Sequence, residues 1–227
     1  MIDIHSHILP LVDDGSTSLN SSIQMLKELA EAGVTDLIVT PHYRGKFNLA
    51  KEEIRAKFLE FQQAVREIPV NLYLGREIYV EDGMLKRVFE GEFLTLNNTK
   101  YILLEFDYYI RYDIVEAVYM ARNKGLIPIV AHIERYEYLT IDDAFEIKSL
   151  GGLIQVNASS LDKRCNKVYY KRVKELIKED LVDFVASDCH EFRKNCINYA
   201  FKKVQKKFGK EKAQNLFYNN ALSIIKD

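Results

Sequence analysis

The chain has 227 residues, 48% of them apolar, and a formal net charge of −1. That supplies a sizeable core, and one domain over 1–227 is expected, since α/β barrels run to about 200–250 residues. The balanced charge excludes a broad basic field for nucleic acid, and no run of about 18 apolar residues is present to insert into a membrane.

Short apolar runs alternate with helical spacing. Ile2–His5 reads as a first strand. Ser21–Ala32, with Ile23, Leu26, Leu29 and Ala30 on one face and a stop at Gly33, reads as a first helix. Strand Asp36–Thr40 is followed by helix Ala50–Ile68, which Pro69 ends. Strands Asn71–Gly75 and Tyr101–Glu105 come next, then helix Asp113–Lys124 before Gly125. Strand Ile127–Ala131 precedes helix Ile141–Leu150. Strand Leu153–Asn157 precedes helix Val168–Glu179, and strand Val182–Ser187 precedes helix Ile197–Phe208. The alternation predicts a parallel sheet with right-handed crossovers. Seven such units fit a closed barrel or an open doubly wound sheet. Only the barrel gathers every strand's C-terminal end at one mouth.

The polar residues favour the barrel. The first run delivers His5 and His7, with Asp14 on the loop beyond. "TPHY" gives His42, "GREIY" Glu77 and "LLEF" Glu105. "AHIER" gives His132 and then Arg135, and "ASDCH" gives Asp188 and His190. All five histidines of the chain fall in this set. A single one would read as an ordinary core histidine, and a single carboxylate as a helix cap; nine such residues at the ends of six strands do not. Residues two apart in an extended chain point the same way, so His5 and His7 can reach one ion. Mixed imidazole and carboxylate ligation suits Zn²⁺, Mn²⁺ or Fe²⁺, and nine donors suit three ions with shared carboxylates. Such ions turn water into hydroxide near neutral pH and clamp phosphoryl oxygens.

Taken together, "MIDIHSHILP", "DDG", "TPHY", "GREIY", "LLEF", "AHIERY" and "ASDCH" resemble the PHP (polymerase and histidinol phosphatase) superfamily. Within it the chain is most similar to the bacterial manganese-dependent protein-tyrosine phosphatases of the CpsB/CapC/YwqE type, from residue 1 to about 220. The resemblance implies a distorted (β/α)7 barrel, TIM-like, with a trinuclear site at the C-terminal ends of the strands. It implies one ion on His5, His7, Glu77 and Asp188, a second on Glu77, Glu105 and His132, and a third on Asp14, His42 and His190. Mn²⁺ is the implied metal, with Fe, Zn, Co or Mg as alternatives. Arg135 would bind phosphate. Arg193, in "HEFRKN", is the nearest candidate for a second arginine, at a shorter spacing than the family's. The implied substrate is a phosphotyrosine-bearing protein, the tyrosine-rich tail of a bacterial tyrosine kinase that regulates capsule or exopolysaccharide synthesis.

Other readings are weaker. A histidinol-phosphatase activity, a polymerase-associated nuclease and a non-catalytic scaffold docking a kinase share the fold. The complete ligand set argues against the scaffold, and the lack of a basic stripe against the nuclease. A thiolate phosphatase needs C-x5-R, but Lys171, Asn195 and Lys202 stand six residues after Cys165, Cys189 and Cys196. Three cysteines without a C-x-x-C pair fit a reducing cytoplasm, and the first residues do not read as a signal peptide. "FDYYIRY" could stack on a substrate ring or pack under a loop. "KRVKELIKED" and "FKKVQKKFGKEK" read as solvated helix faces.

Overall fold

The computed structural model describes residues 1–226; residue 227, part of the expected domain, lies outside the described residues. The sheet is parallel throughout. β1 (Ile2–Asp3), β2 (Asp36–Val39) and β4 (Asn71–Leu74) lie side by side in that order. A six-stranded run follows: β3 (His42–Tyr43), β5 (Glu77–Tyr79), β6 (Tyr101–Glu105), β7 (Ile127–Val130), β8 (Leu153–Asn157) and β9 (Phe184–Ala186). β2 leads into β3 across Thr40–Pro41, and β4 into β5 across Gly75–Arg76. Neither short strand was expected. Proline has no N–H for a ladder, and the pairing resumes only past it, where Glu77 N donates to Pro41 O.

The sheet curls until its first and last strands meet. Ser6 and Cys189 form a parallel bridge. Asp188 N donates to His5 O at 3.0 Å, and His7 N to Cys189 O at 3.1 Å. Ser187 N donates to the buried Asp3 carboxylate at 3.0 Å. An open sheet edge between the first and last strands is thereby excluded.

Six expected helices form within a few residues of their predicted bounds: α1 (Leu19–Glu31), α2 (Lys51–Ala64), α4 (Ile114–Asn123), α5 (Ile141–Ser149), α6 (Lys167–Lys178) and α7 (Ile197–Phe208). α2 stops at Ala64, short of the expected Ile68. α3 (Met84–Phe89), α8 (Lys210–Phe217) and α9 (Leu222–Ile225) were not expected. Side chains alternate across each strand. Ile102, Leu104, Val130 and Val156 face the helices in the main core. Leu103, Ile129, Phe184 and Ala186 face inward with Ile2, Ile4 and Ile38. Two residues further along the same inward lines come Glu105, after Leu103, and Asp188, after Ala186. The period that builds the inner core therefore also aims the polar cluster.

Candidate active site

The five histidines, with Glu77, Glu105 and Asp188, converge at one end of the curled sheet, all buried. Glu77 is central. Its Oε1 lies 2.9 Å from His132 Nε2 and 3.2 Å from His5 Nε2. Its Oε2 lies 2.8 Å from His42 Nδ1 and 3.3 Å from His7 Nε2. The Nε2 atoms of His5 and His7 are 3.1 Å apart, both turned the same way. Asp188 Oδ1 stands 3.8 Å and 3.5 Å from them. Asp14, half exposed, reaches the mouth from its loop, with Oδ1 3.6 Å from His42 Nε2 and 3.7 Å from His190 Nε2.

Three sets of donor atoms lie within 4.8 Å of one another: His5, His7 and Glu77; His42, Glu77 and Glu105; and His7, His42 and His190. The grouping differs in detail from the one the resemblance implies. His42 stands between two sets, and His132 is close to Glu77 but 3.9 Å from Glu105 Oε1. The residues fit cations. His42 Nδ1, Glu77 Oε2, Glu105 Oε2 and His190 Nε2 are buried without a hydrogen-bond partner. His42 Nδ1 and Glu77 Oε2 are close but out of line for a hydrogen bond. Each buried orphan costs about 1–3 kcal/mol. Lone pairs turned on one another with no proton between them are what a divalent ion relieves.

Electrostatics sort the histidines. Burial, then Arg135, pushes His132 down to about 4. Burial, then His7, pushes His190 down to about 3. Both are neutral at physiological pH, as ligands must be. Burial opposes protonation of His7, but Asp13 and Glu77 outweigh it and raise the imidazole well above its ordinary value, so an ion binding there would displace its proton. Burial also opposes ionising Asp188, yet Arg135, His5 and Arg193 hold it well below the usual carboxylate range.

Asp188 Oδ2 is where the arginines meet. Arg135 donates to it at 2.8 Å and Arg193 at 2.7 Å, and Asn157 Nδ2 donates at 2.7 Å. Arg135 therefore does not pair with its neighbours Glu134 or Glu137. Glu134 is buried and accepts from Asn157 N and the Ser160 hydroxyl. The "FDYYIRY" segment divides. Phe106 is buried, and Tyr109 and Ile110 are exposed. The Tyr108 hydroxyl donates to Glu105 Oε1 at 2.6 Å and accepts from Arg135 at 3.1 Å.

Sequence reasoning missed the residues behind this cluster. Asp13 Oδ2 accepts from His7 Nδ1 at 2.8 Å and from His42 N at 2.9 Å. Gln155 Oε1 accepts from His132 N at 2.7 Å and stands 3.2 Å from His5 Nδ1. Arg44 donates to Glu105 Oε1 at 3.3 Å. The only signals were Asp13 beside Asp14 and a glutamine on the inward line of a buried strand. His132 and Asp188 also adopt positive φ, 33° and 48°. L-residues rarely stay there unless the surroundings hold them, and such strain clusters at functional sites.

Gly15 lets the Asp13–Asp14 loop lie on the first histidines. A Cβ there would meet His7 O at 2.0 Å and His7 Cβ at 2.2 Å. Gly15→Ala is expected to destabilise by about 1–3 kcal/mol through overpacking and to lower bound metal. Thermal unfolding and elemental analysis of one preparation check this; wild-type values for both would show that the loop has room.

Comparison with known proteins follows the same lines. The family model described as "Capsular polysaccharide synthesis, CpsB/CapC" matches residues 1–226. Tyrosine-protein phosphatase CpsB of Streptococcus agalactiae is 36% identical over 240 residues, spanning 100% of this chain and 99% of that protein. Tyrosine-protein phosphatase YwqE of Bacillus subtilis is 31% identical over 220 residues, 93% of this chain and 86% of that one. A solved structure from work on YwqE of Bacillus subtilis and CpsB of Streptococcus pneumoniae, described as unique metal-dependent tyrosine phosphatases, superposes with a TM-score of 0.91. It shares 29% identity over 99% of this chain and 94% of that one. A lactonase from Listeria monocytogenes, 9% identical over 97% of this chain and 92% of its own with a TM-score of 0.65, shares the fold alone. With full-length identity above 30% and a model match over nearly every residue, the chain belongs to the CpsB/CapC family.

Proposed function

We propose that this protein is a metal-dependent protein-tyrosine phosphatase of capsule or exopolysaccharide synthesis. The observation that carries it is the mouth itself, where histidines and carboxylates with unpartnered donor atoms lie against two arginines. The tyrosine-phosphatase names of the full-length relatives supply the substrate class. His5, His7, Glu77 and Asp188 would hold one ion, Glu77, Glu105 and His132 a second, and Asp14, His42 and His190 a third. Mn²⁺ is the proposed metal, with Fe, Zn, Co or Mg able to occupy the same donors. When bound, the ions would supply Lewis acidity and a water ionised near neutral pH.

The chain's own groups do the rest. Arg135 and Arg193 would grip the phosphoryl oxygens, because guanidinium forks match a dianion and each keeps N–H groups beyond those given to Asp188. Asn157 holds Asp188 Oδ2, leaving Oδ1 turned to His5 and His7. Tyr108 ties Glu105 to Arg135, so the metal-facing and phosphate-facing sides are built on one another. Cys189, between two of the proposed ligands, takes no part: it is buried, and burial pushes its thiol far up. The three free cysteines support a cytoplasmic placement. No helix among the described residues is long and apolar enough to cross a membrane. Counting β2 with β3 and β4 with β5 as interrupted strands supports the reading of a distorted (β/α)7 barrel in one domain. The tyrosine-rich tail of a bacterial tyrosine kinase is the proposed partner.

The test is direct. Mn²⁺-loaded protein should hydrolyse phosphotyrosine peptides far faster than histidinol phosphate and lose that activity to a chelator. A preference for histidinol phosphate would overturn the reading.

Asp13 gives a finer check. Partners that orient metal-binding histidines are worth about 10–100-fold in metal affinity. Asp13→Asn is therefore expected to weaken Mn²⁺ binding by that factor, measured by competition with a metallochromic chelator. Unchanged affinity would leave Asp13 as a loop-building residue only.

A further inference from the structure

The lysine-rich helices hold more order than a solvated face requires. Cations and rings alternate across α6 and α7. The Arg164 guanidinium lies 5.8 Å from the centre of the Tyr199 ring. Lys203 Nζ lies 5.2 Å from that ring and 4.5 Å from Tyr170. Lys174 Nζ also lies over Tyr170, 5.5 Å from the centre of its ring. Lys207 follows on α7, and the neighbouring Lys174 pushes it down to about 8.

The series starts in a cleft. Arg164 and Tyr199 line a cavity of about 600 Å³ whose other walls include Arg135 and Arg193. Carboxylates neutralise its two flanks, where Arg164 pairs with Asp162 and Lys178 pairs with Glu179. Between them, Lys174, Lys203 and Lys207 make no ion pair among the described residues. Like charges brought close are destabilising, and no ion pair among the described residues offsets this one. An anionic ligand would. Ammonium groups over aromatic faces are partly held in place, so less side-chain freedom is lost when an anion arrives.

We propose that this ladder is a docking track for an acidic segment of the phosphotyrosine-bearing substrate, leading from the cleft at Arg135 and Arg193 down the α6–α7 face. The inference rests on the phosphatase reading above. A polypeptide fits better than an anionic bilayer, because the ladder begins inside a concave cleft at the arginines that would hold the phosphate. Exposed charges of this kind act on encounter and selectivity and are screened by salt.

The experiment compares two phosphotyrosine peptides of equal length, one flanked by glutamates and one by serines, with para-nitrophenyl phosphate as a substrate too small to reach the track. The Mn²⁺-loaded wild type should favour the acidic peptide about tenfold in kcat/KM at low salt, with the preference fading as salt rises. In Lys174→Glu/Lys207→Glu the preference should fall to about one, with para-nitrophenyl phosphate turnover unchanged. Non-hydrolysable phosphonate forms of the peptides, followed by fluorescence anisotropy, should show the same ordering in Kd. Equal use of both peptides by the wild type, or a preference surviving the double charge reversal, would overturn the proposal. So would equal use of both peptides together with charge-dependent sedimentation on phosphatidylglycerol vesicles, which would make the ladder a membrane contact. Loss of turnover on all three substrates in the wild type would instead overturn the phosphatase reading.

Discussion

Glu77→Gln is expected to lose about 10³-fold or more in kcat and at least one bound ion per chain. Among the described residues, Glu77 is the one carboxylate whose oxygens face four histidines, His5, His7, His42 and His132. Burial works against its charge, yet His5 and His42 hold it well below the usual carboxylate range. The amide keeps the shape but removes the negative charge and turns one oxygen into an N–H₂ group aimed at lone pairs. Metal-ion catalysis is worth several kcal/mol, and each 1.36 kcal/mol is tenfold in rate. Steady-state kinetics and elemental analysis after Mn²⁺ loading check this, with circular dichroism to establish folding. A folded variant with near wild-type activity and metal would remove Glu77 from the centre of the site.

The second large effect is Arg135→Ala. Removing a preorganised donor to developing charge typically costs about 10²–10³ in rate. Arg135 is held for that task by Asp188 and Tyr108, with most of its length buried. Its loss does not strand Asp188, whose Oδ2 keeps Arg193 and Asn157. Melting temperature and metal content should therefore stay near wild type while kcat/KM falls. Arg135→Lys should recover only part of the rate, since an ammonium cannot make the paired contact. If the truncation lowers Tm and leaves turnover intact, Arg135 is a structural partner of Asp188 and nothing more.

What could be read from the chain followed periodicity. Tyr101–Glu105 and Leu153–Asn157 were bounded correctly because each is an unbroken five-residue stretch with no proline or glycine inside it. β3 and β5 escaped because two or three residues carry no period, and because Pro41 and Gly75 mark a stop in sequence where the ladder merely skips. α8 hides in a lysine-rich tract whose burial against α7 is a tertiary matter. The histidines and carboxylates at the mouth were legible because they are rare residues recurring at strand ends. Asp13, Gln155 and Asn157 were not. Nothing local separates a glutamine that orients a histidine from one that fills space, and only three-dimensional proximity identifies it.

The seam between β1 and β9 bears on how the chain comes to be folded at all. Asp3 and Ser187, which meet across it, are 184 positions apart. Closing so long a loop is entropically expensive, and parallel pairing at such a separation slows folding. His5 and His7 stand on one bank of the seam and Asp188 and His190 on the other, so the mouth does not exist until the two banks join. Until then Ile2 and Ile4 lack their cover from Phe184 and Ala186, leaving sticky surface exposed through most of a chain's synthesis. Divalent ions held as proposed by both banks would bind only the closed form and draw the equilibrium toward it. On that reading metal uptake would be a clock for the final act of assembly, and a variant that pairs its seam poorly should show itself first as a slow loader rather than as a poor catalyst.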